Sequence, residues 1–182
     1  MRQLTYGRVS LMRLAQTSWS ISIKNRYTFQ NLAFISRIEK LCDIDKTKGN
    51  VFIERSIWSD SNVFARNCSL NGTLSTIEYK LYKRWFEWAE TMIHKTMAHI
   101  YDAKFVYLRC EPETSMDRTK IRDRTEEREI PIDYMKQIHL RHEEWMNSIP
   151  SANRITINVN DIDIKNEALF RDIVRDIVRD IF

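Results

Sequence analysis

The sequence predicts an α/β domain in which a parallel sheet is flanked by helices, and three observations carry that expectation. Short apolar runs at Val51 to Ile53, Phe105 to Leu108 and Arg154 to Asn160 alternate with longer segments whose apolar residues recur every three or four positions. The first run stops abruptly on charge, as a buried parallel strand does at its C-terminal edge, where open α/β sheets carry their chemistry. Glycine and proline number three each in 182 residues, too few for long linkers or Gly-rich β architectures, so helix should dominate.

In chain order, Ser10 to Ile23 is ambiguous between helix and extended chain. Phe29, Leu32, Ala33, Ile35, Ile38 and Leu41 then fall at helical spacing and predict a helix from about 27 to 42. Gly49 marks a turn into the first strand, and Ser59 to Gly72 reads as a short helix and a loop. Ile77, Leu81, Trp85, Trp88, Met92 and Ile93 define a long amphipathic helix whose aromatic stripe is expected to face the core or a second subunit. Ser75 and Glu78 have the spacing of a capping box at its start. A strand over 104–109 and a turn at Pro112 follow. Next come the end of a helix, a charged loop, a helix after Pro131 and a third strand. A last helix carries a stripe of Ile173, Ile177 and Ile181.

Composition narrows the function classes. With 43% apolar and 30% charged residues, the whole of 1–182 reads as one domain with one core. The formal charge of +4, from 29 basic and 25 acidic residues, is spread among interleaved signs, so a nucleic-acid partner is not expected. Cys42, Cys68 and Cys110 have neither disulfide-framework nor zinc spacing, which favours a reducing, cytoplasmic compartment. No run approaches the roughly 18 apolar residues of a membrane span, and no membrane partner is expected. The first acidic residue is Glu39, while Arg2, Arg8, Arg13, Lys24 and Arg26 sit among serines and threonines. That is also the composition of a mitochondrial presequence, so a mitochondrial location is the alternative.

The stretch from Asp117 to Pro131, "DRTKIRDRTEEREIP", sets four arginines and a lysine among carboxylates. By itself it is a solvated run with i,i+4 pairing. Together with "YTFQNLAFISRIEK", "FIERSIWSDSNVFARN" and the whole of "VYLRCEPETSMDRTKIRDRTEEREIPIDYMKQIHLRHEEWM", it resembles the deoxynucleoside kinases. Three separated motifs in the right order and spacing, over most of Tyr27 to Asp163, carry the resemblance.

That resemblance implies a P-loop-kinase-like parallel sheet and transfer of a phosphoryl group from a nucleoside triphosphate such as ATP, with Mg²⁺, to the 5′-hydroxyl of a deoxynucleoside. It makes 112–131 the lid, in which Arg118, Arg122 and Arg124 close on the triphosphate with planar guanidinium forks. Glu127 matches the residue that accepts from the sugar 3′-hydroxyl. Glu54 matches the carboxylate that holds Mg²⁺ or takes the hydroxyl proton, and Arg55 the residue that holds the 5′ end in line. Gln30, Arg37 and Asp60 match the readers of the base edge, and Phe64 the ring that stacks on the base. The Arg37 and Asp60 pair favours deoxycytidine or a purine deoxynucleoside over thymidine. Asp161, Ile162 and Asp163 match the loop that holds the donor's base, and the family's dimeric helical bundle implies a homodimer.

The sequence departs from the family in one respect. Gly7, Gly49 and Gly72 do not build the family's G-x-x-x-x-G-K-[ST] loop, and the central first strand that precedes it is unmatched. The expectation is therefore a kinase domain incomplete at its N-terminus. It is either a partial form of an active enzyme, a relative without catalysis that binds or dimerises with a partner, or a chain whose "SWSISI" replaces the missing strand.

Overall fold

The computed structural model describes residues 25–44, 53–96 and 104–162, together with 171, 172 and 175. Helix α1 (Arg26–Ile44) overruns the expected helix slightly at both ends. It buries Gln30, Ala33, Phe34 and Leu41, one helical face of the periodic segment.

Ser56 caps the next helix. Its side chain accepts from the Ser59 amide, and Ser59 Oγ accepts from the Ser56 amide at 2.9 Å, a reciprocal box that starts the helix sharply. Helix α2 (Ile57–Ser59) runs directly into a π-helical segment, Asp60–Ala65, and then α3 (Arg66–Leu70). The expected short helix and loop is thus helical nearly throughout. The wider π repeat turns Asp60, Ser61, Val63 and Ala65 all inward, which no regular α-helical stripe would do, and such bulges recur at functional sites.

Helix α4 (Thr76–Thr96) opens on the expected box: Ser75 Oγ accepts from the Glu78 amide at 3.3 Å, and Glu78 Oε2 accepts from the Ser75 amide at 2.8 Å. Its buried face differs from the stripe read in the sequence. Tyr82, Phe86, Ala89 and Ile93 face the core, whereas Ile77, Leu81, Trp85, Trp88 and Met92 are exposed. Only Ile93 of the expected set is buried. Two apolar faces share this helix, and periodicity alone could not say which one the fold covers. The core joins Phe34 and Leu41 of α1, Ile57 and Ala65 of the second helical run, and Tyr82, Phe86, Ala89 and Ile93 of α4.

The described sheet has two parallel strands, β1 (Phe105–Arg109) and β2 (Arg154–Asn158), with Phe105 opposite Arg154 and Arg109 opposite Asn158. Phe105 packs edge-on against Trp58 and Trp145, at centroid distances of 6.1 and 5.3 Å, and so ties the sheet to the helical core. Pro112 does not make a turn but opens helix α5 (Pro112–Arg122), where its missing amide hydrogen costs nothing. Helix α6 (Ile132–Ser148) follows Pro131 as expected. Of the expected first strand, Val51 and Phe52 lie outside the described residues, and Ile53 is irregular and exposed. Ile173, Ile177 and Ile181 also lie outside them, while Arg171, Asp172 and Arg175 are helical.

Candidate functional site

Three elements meet at Asp60. The π-helical segment turns its carboxylate inward until 1% of the side chain is exposed, and Arg37 from α1 donates to Oδ1 at 2.6 Å. Tyr82 from α4, itself fully buried, donates to Oδ2 at 2.8 Å. Gln30, one face along α1 from Arg37, is buried beside them. Its Nε2 finds no acceptor in hydrogen-bonding geometry, although it lies close enough to influence the titration of Asp60 and Tyr82. Burial pushes the Asp60 carboxyl up, and the Arg37 charge, the Tyr82 hydroxyl and Gln30 pull it back. Burial also lowers Arg37, which Asp60 opposes. A charged pair this deep is stable only because each group is partnered. The sequence-predicted Gln30, Arg37 and Asp60 are thus brought together.

Arg55 and Phe64 flank this group. The Arg55 guanidinium sits 5.0 Å over the Phe64 ring, within cation–π range, and its charge reaches both Arg37 and Asp60. Its φ is +60°, a left-handed backbone uncommon for an arginine and typical of strained functional positions. This residue turns the chain from the Ile53 segment into the Ser56 cap. His142 also meets Phe64, edge-on at 6.1 Å, and stacks against Tyr107 at 5.7 Å. The His142 Nδ1–H donates to the Ile138 carbonyl at 2.9 Å. Burial holds the imidazole below its ordinary value, and burial together with Glu143 pushes the Tyr107 hydroxyl up.

The charged stretch forms a second cluster. Helix α5 ends on Asp123, with φ +48°, a short polar residue that tolerates the left-handed cap. Arg128 then closes the turn with bonds of 2.9 and 3.0 Å to both Asp123 oxygens. Glu127 collects two of the three predicted lid arginines: Arg122 donates to Oε2 at 2.6 Å, and Arg124 lies 3.6 Å from Oε1. Arg122 remains half exposed, at 50%. Arg118 stands apart from them. It donates to the carbonyls of Val159, Asn160 and Ile162 at 2.6, 3.2 and 2.8 Å, and toward Cys110 Sγ at 3.3 Å. The Glu111 amide meets Asn160 Oδ1 at 2.8 Å. Helix α5 and the loop holding Asp161 and Ile162 are therefore one unit. Asp163, the third residue expected there, lies outside the described residues.

Glu54 is exposed, and its carboxylate meets no cation or donor among the described residues. No cluster of three metal-ligating side chains occurs among those residues. A lone accessible carboxylate nonetheless fits Mg²⁺, which keeps several waters and takes other ligands from phosphates. Arg122 and Arg124 offer matching cations for a triphosphate, although both are now engaged by Glu127. Tyr82 and His142 were not legible as site residues. Each lies within a helix pattern that packing explains, and the only hint at Tyr82 is a hydroxyl beside the apolar stripe. Tyr134, whose hydroxyl is pushed up to about 12 mainly by burial and senses both Arg26 and Arg55, is a further residue of this region.

No described helix is long and apolar enough to cross a membrane. A sequence-family model described as deoxynucleoside kinase matches residues 17–181, beyond both ends of the motifs quoted above. Mouse deoxycytidine kinase is 33% identical over 128 residues, covering 66% of this chain and 47% of the mouse protein. Chicken deoxycytidine kinase 2 is 26% identical over 193 aligned positions, covering 98% of this chain and 71% of its own length. Human mitochondrial thymidine kinase 2 is 39% identical over 94 residues, 52% of this chain and 34% of the human protein. The chain spans about half the length of the first of these relatives. With a family match across nearly its full length, and with a parallel sheet flanked by helices carrying the expected residues, the chain belongs to the deoxynucleoside kinase family.

Proposed function

We propose that this chain carries the nucleoside site and lid of a kinase that moves the γ-phosphoryl group of ATP, or another nucleoside triphosphate, to the 5′-hydroxyl of a deoxynucleoside. Deoxycytidine or a purine deoxynucleoside is the favoured acceptor. The buried Arg37–Asp60 pair supports this reading. Two opposite charges cost more to bury than apolar side chains of similar size. A base edge presenting an amino or keto group gives the pair a use, and Gln30 adds an amide that both donates and accepts. Phe64 supplies the stacking face once Arg55 swings toward the 5′-hydroxyl.

In the reaction the 5′-oxygen attacks the γ-phosphorus, the bond to the nucleoside diphosphate breaks, and the hydroxyl proton leaves. Glu54 accepts that proton or holds Mg²⁺, which when bound neutralises phosphate charge. Arg55 aligns the attacking oxygen, and Arg122 and Arg124 exchange Glu127 for phosphate oxygens as the lid closes. Glu127 is then free to accept from the sugar 3′-hydroxyl, so sugar binding and lid closure are linked. Arg118, with Asp161, Ile162 and Asp163, borders the donor's base, and would add phosphate contacts only by giving up its carbonyls. The expected compartment is the cytoplasm, with mitochondria the alternative.

The test is phosphorylation of deoxycytidine, deoxyadenosine, deoxyguanosine and thymidine by the 182-residue chain with ATP and Mg²⁺. It is run beside the double variant Arg37→Met/Asp60→Ala, which removes both buried charges at once and so leaves neither of them unpaired. The wild type should prefer deoxycytidine or a purine nucleoside, and the double variant should move toward thymidine. An unchanged order of substrates would remove the base-reader assignment.

A second reading has specific support. Helix α4 exposes Ile77, Leu81, Trp85, Trp88 and Met92 together. Such an apolar face suits a protein partner, a second copy of this chain being the one expected. Nucleoside-dependent stabilisation without turnover would favour a binding or dimerisation partner over an enzyme.

A further inference from the structure

The pair proposed to read the base meets a third residue, Tyr82. Asp60 offers two carboxylate oxygens, and the structure gives each a different donor: Oδ1 takes Arg37 at 2.6 Å and Oδ2 takes Tyr82 at 2.8 Å. The donors come from α1 and α4, both of which pack on the π-helical segment. A carboxylate held by one donor can rotate about its terminal torsion, which is broad and roughly two-fold. Held by two donors on opposite oxygens, it has a single orientation, and the Arg37 Nη1 bonded to it is held at one point.

We propose that Tyr82 is the positioning residue for base selection, fixing the Asp60 carboxylate so that Arg37 presents one set of donors to the base edge. Its placement fits that role. The Tyr82 ring is fully buried and packs edge-on against Phe34 at 5.5 Å, so its hydroxyl cannot leave Asp60 for water. Burial and the Asp60 charge push the hydroxyl's titration upward, which keeps the proton on the donor. The ring does the core packing, and the hydroxyl hydrogen goes to the carboxylate. Phenylalanine would fill the same space without orienting Asp60.

This inference rests on the base-reader reading, and the experiment separates the two. Dissociation constants for deoxycytidine and thymidine are measured by calorimetry on the full chain. The variants are Tyr82→Phe, Asp60→Asn, Arg37→Met/Asp60→Ala, and the triple combination of that pair with Tyr82→Phe, each checked by its melt. Tyr82→Phe should lower the ratio of the two constants about tenfold, the effect of losing one hydrogen bond to a charged group. Asp60→Asn keeps the shape but leaves one oxygen for two donors, and should move the ratio the same way even if Tyr82→Phe does not fold. In the Arg37→Met/Asp60→Ala background Tyr82→Phe should leave the ratio unchanged, because its effect runs through Asp60.

If Tyr82→Phe weakens both nucleosides equally while Arg37→Met/Asp60→Ala shifts the ratio, Tyr82 is a packing residue only and the proposal is overturned with the base reader intact. Should neither shift it, or should the wild type bind neither nucleoside, the base-reader reading fails and this inference with it.

Discussion

Asp60 accepts from Arg37 and Tyr82 at the centre of the helical core, so what a substitution leaves behind decides its cost. Asp60→Ala strands the buried Arg37 charge and should destabilise the fold by about 3–5 kcal/mol, whereas Arg37→Met/Asp60→Ala removes both charges, leaves only the Tyr82 hydroxyl without its acceptor, and should cost less, about 1–3 kcal/mol. Urea midpoints on the two proteins check this, and equal losses would show that the pair is not energetically coupled. His142 gives a pH dependence of definite sign. Burial holds its folded value below the ordinary 6.5, so the unfolded chain takes up the proton first. Its contribution is fully present above about pH 6.5 and is lost as the pH falls through the depressed folded value. Melting temperatures recorded from about pH 7.5 down to 5 should fall, and His142→Phe, which keeps a ring against Tyr107, should flatten that fall. An identical slope in the variant would assign the titration elsewhere.

Among the elements, α4 and the proposed lid should behave differently under mutation. Ser75 and Glu78 satisfy the first amides of α4 reciprocally, and Ser75→Ala should cost about 1 kcal/mol, read from denaturant melts. A change within error would mean that water caps the helix equally well. In the lid, Arg122 is tied to Glu127 rather than to the core, so its removal should spare the fold. If it meets the transferred phosphoryl group, Arg122→Ala in an active form of the kinase should lower turnover about 10²–10³-fold with nucleoside binding retained. Unchanged turnover would remove the lid assignment. The Ser75 cap and the helix after Pro131 were legible because local chemistry decides them. The π-helical turn at Asp60 was not, since "DSNVFA" carries no periodicity that distinguishes a π turn from an α turn.

For the whole molecule, the exposed face of α4 is the largest open consequence. Trp85 and Trp88 contact each other edge-on at 6.0 Å and stand half exposed, an arrangement suited to burial against another surface. Trp85→Glu/Trp88→Glu should lower the mass seen by light scattering to that of a monomer without lowering the melting temperature of the protomer. A wild-type monomer would remove the homodimer expectation. The sequence by itself determined the family and the order of most of the described helices and strands, and it supplied the residue types proposed for the base reader, the arginine-rich lid and the Glu54–Arg55 pair. Those depend on motif spacing and on local propensity, both of which are linear in the chain. Only the tertiary structure decided which face of α4 is core, that Tyr82 completes the Asp60 pair, and that Arg118 grips the Val159–Ile162 carbonyls while Glu127 holds Arg122 and Arg124. Each of these depends on which segments distant in sequence come within hydrogen-bond or packing distance, and pairings made across the fold leave no period in the sequence to read.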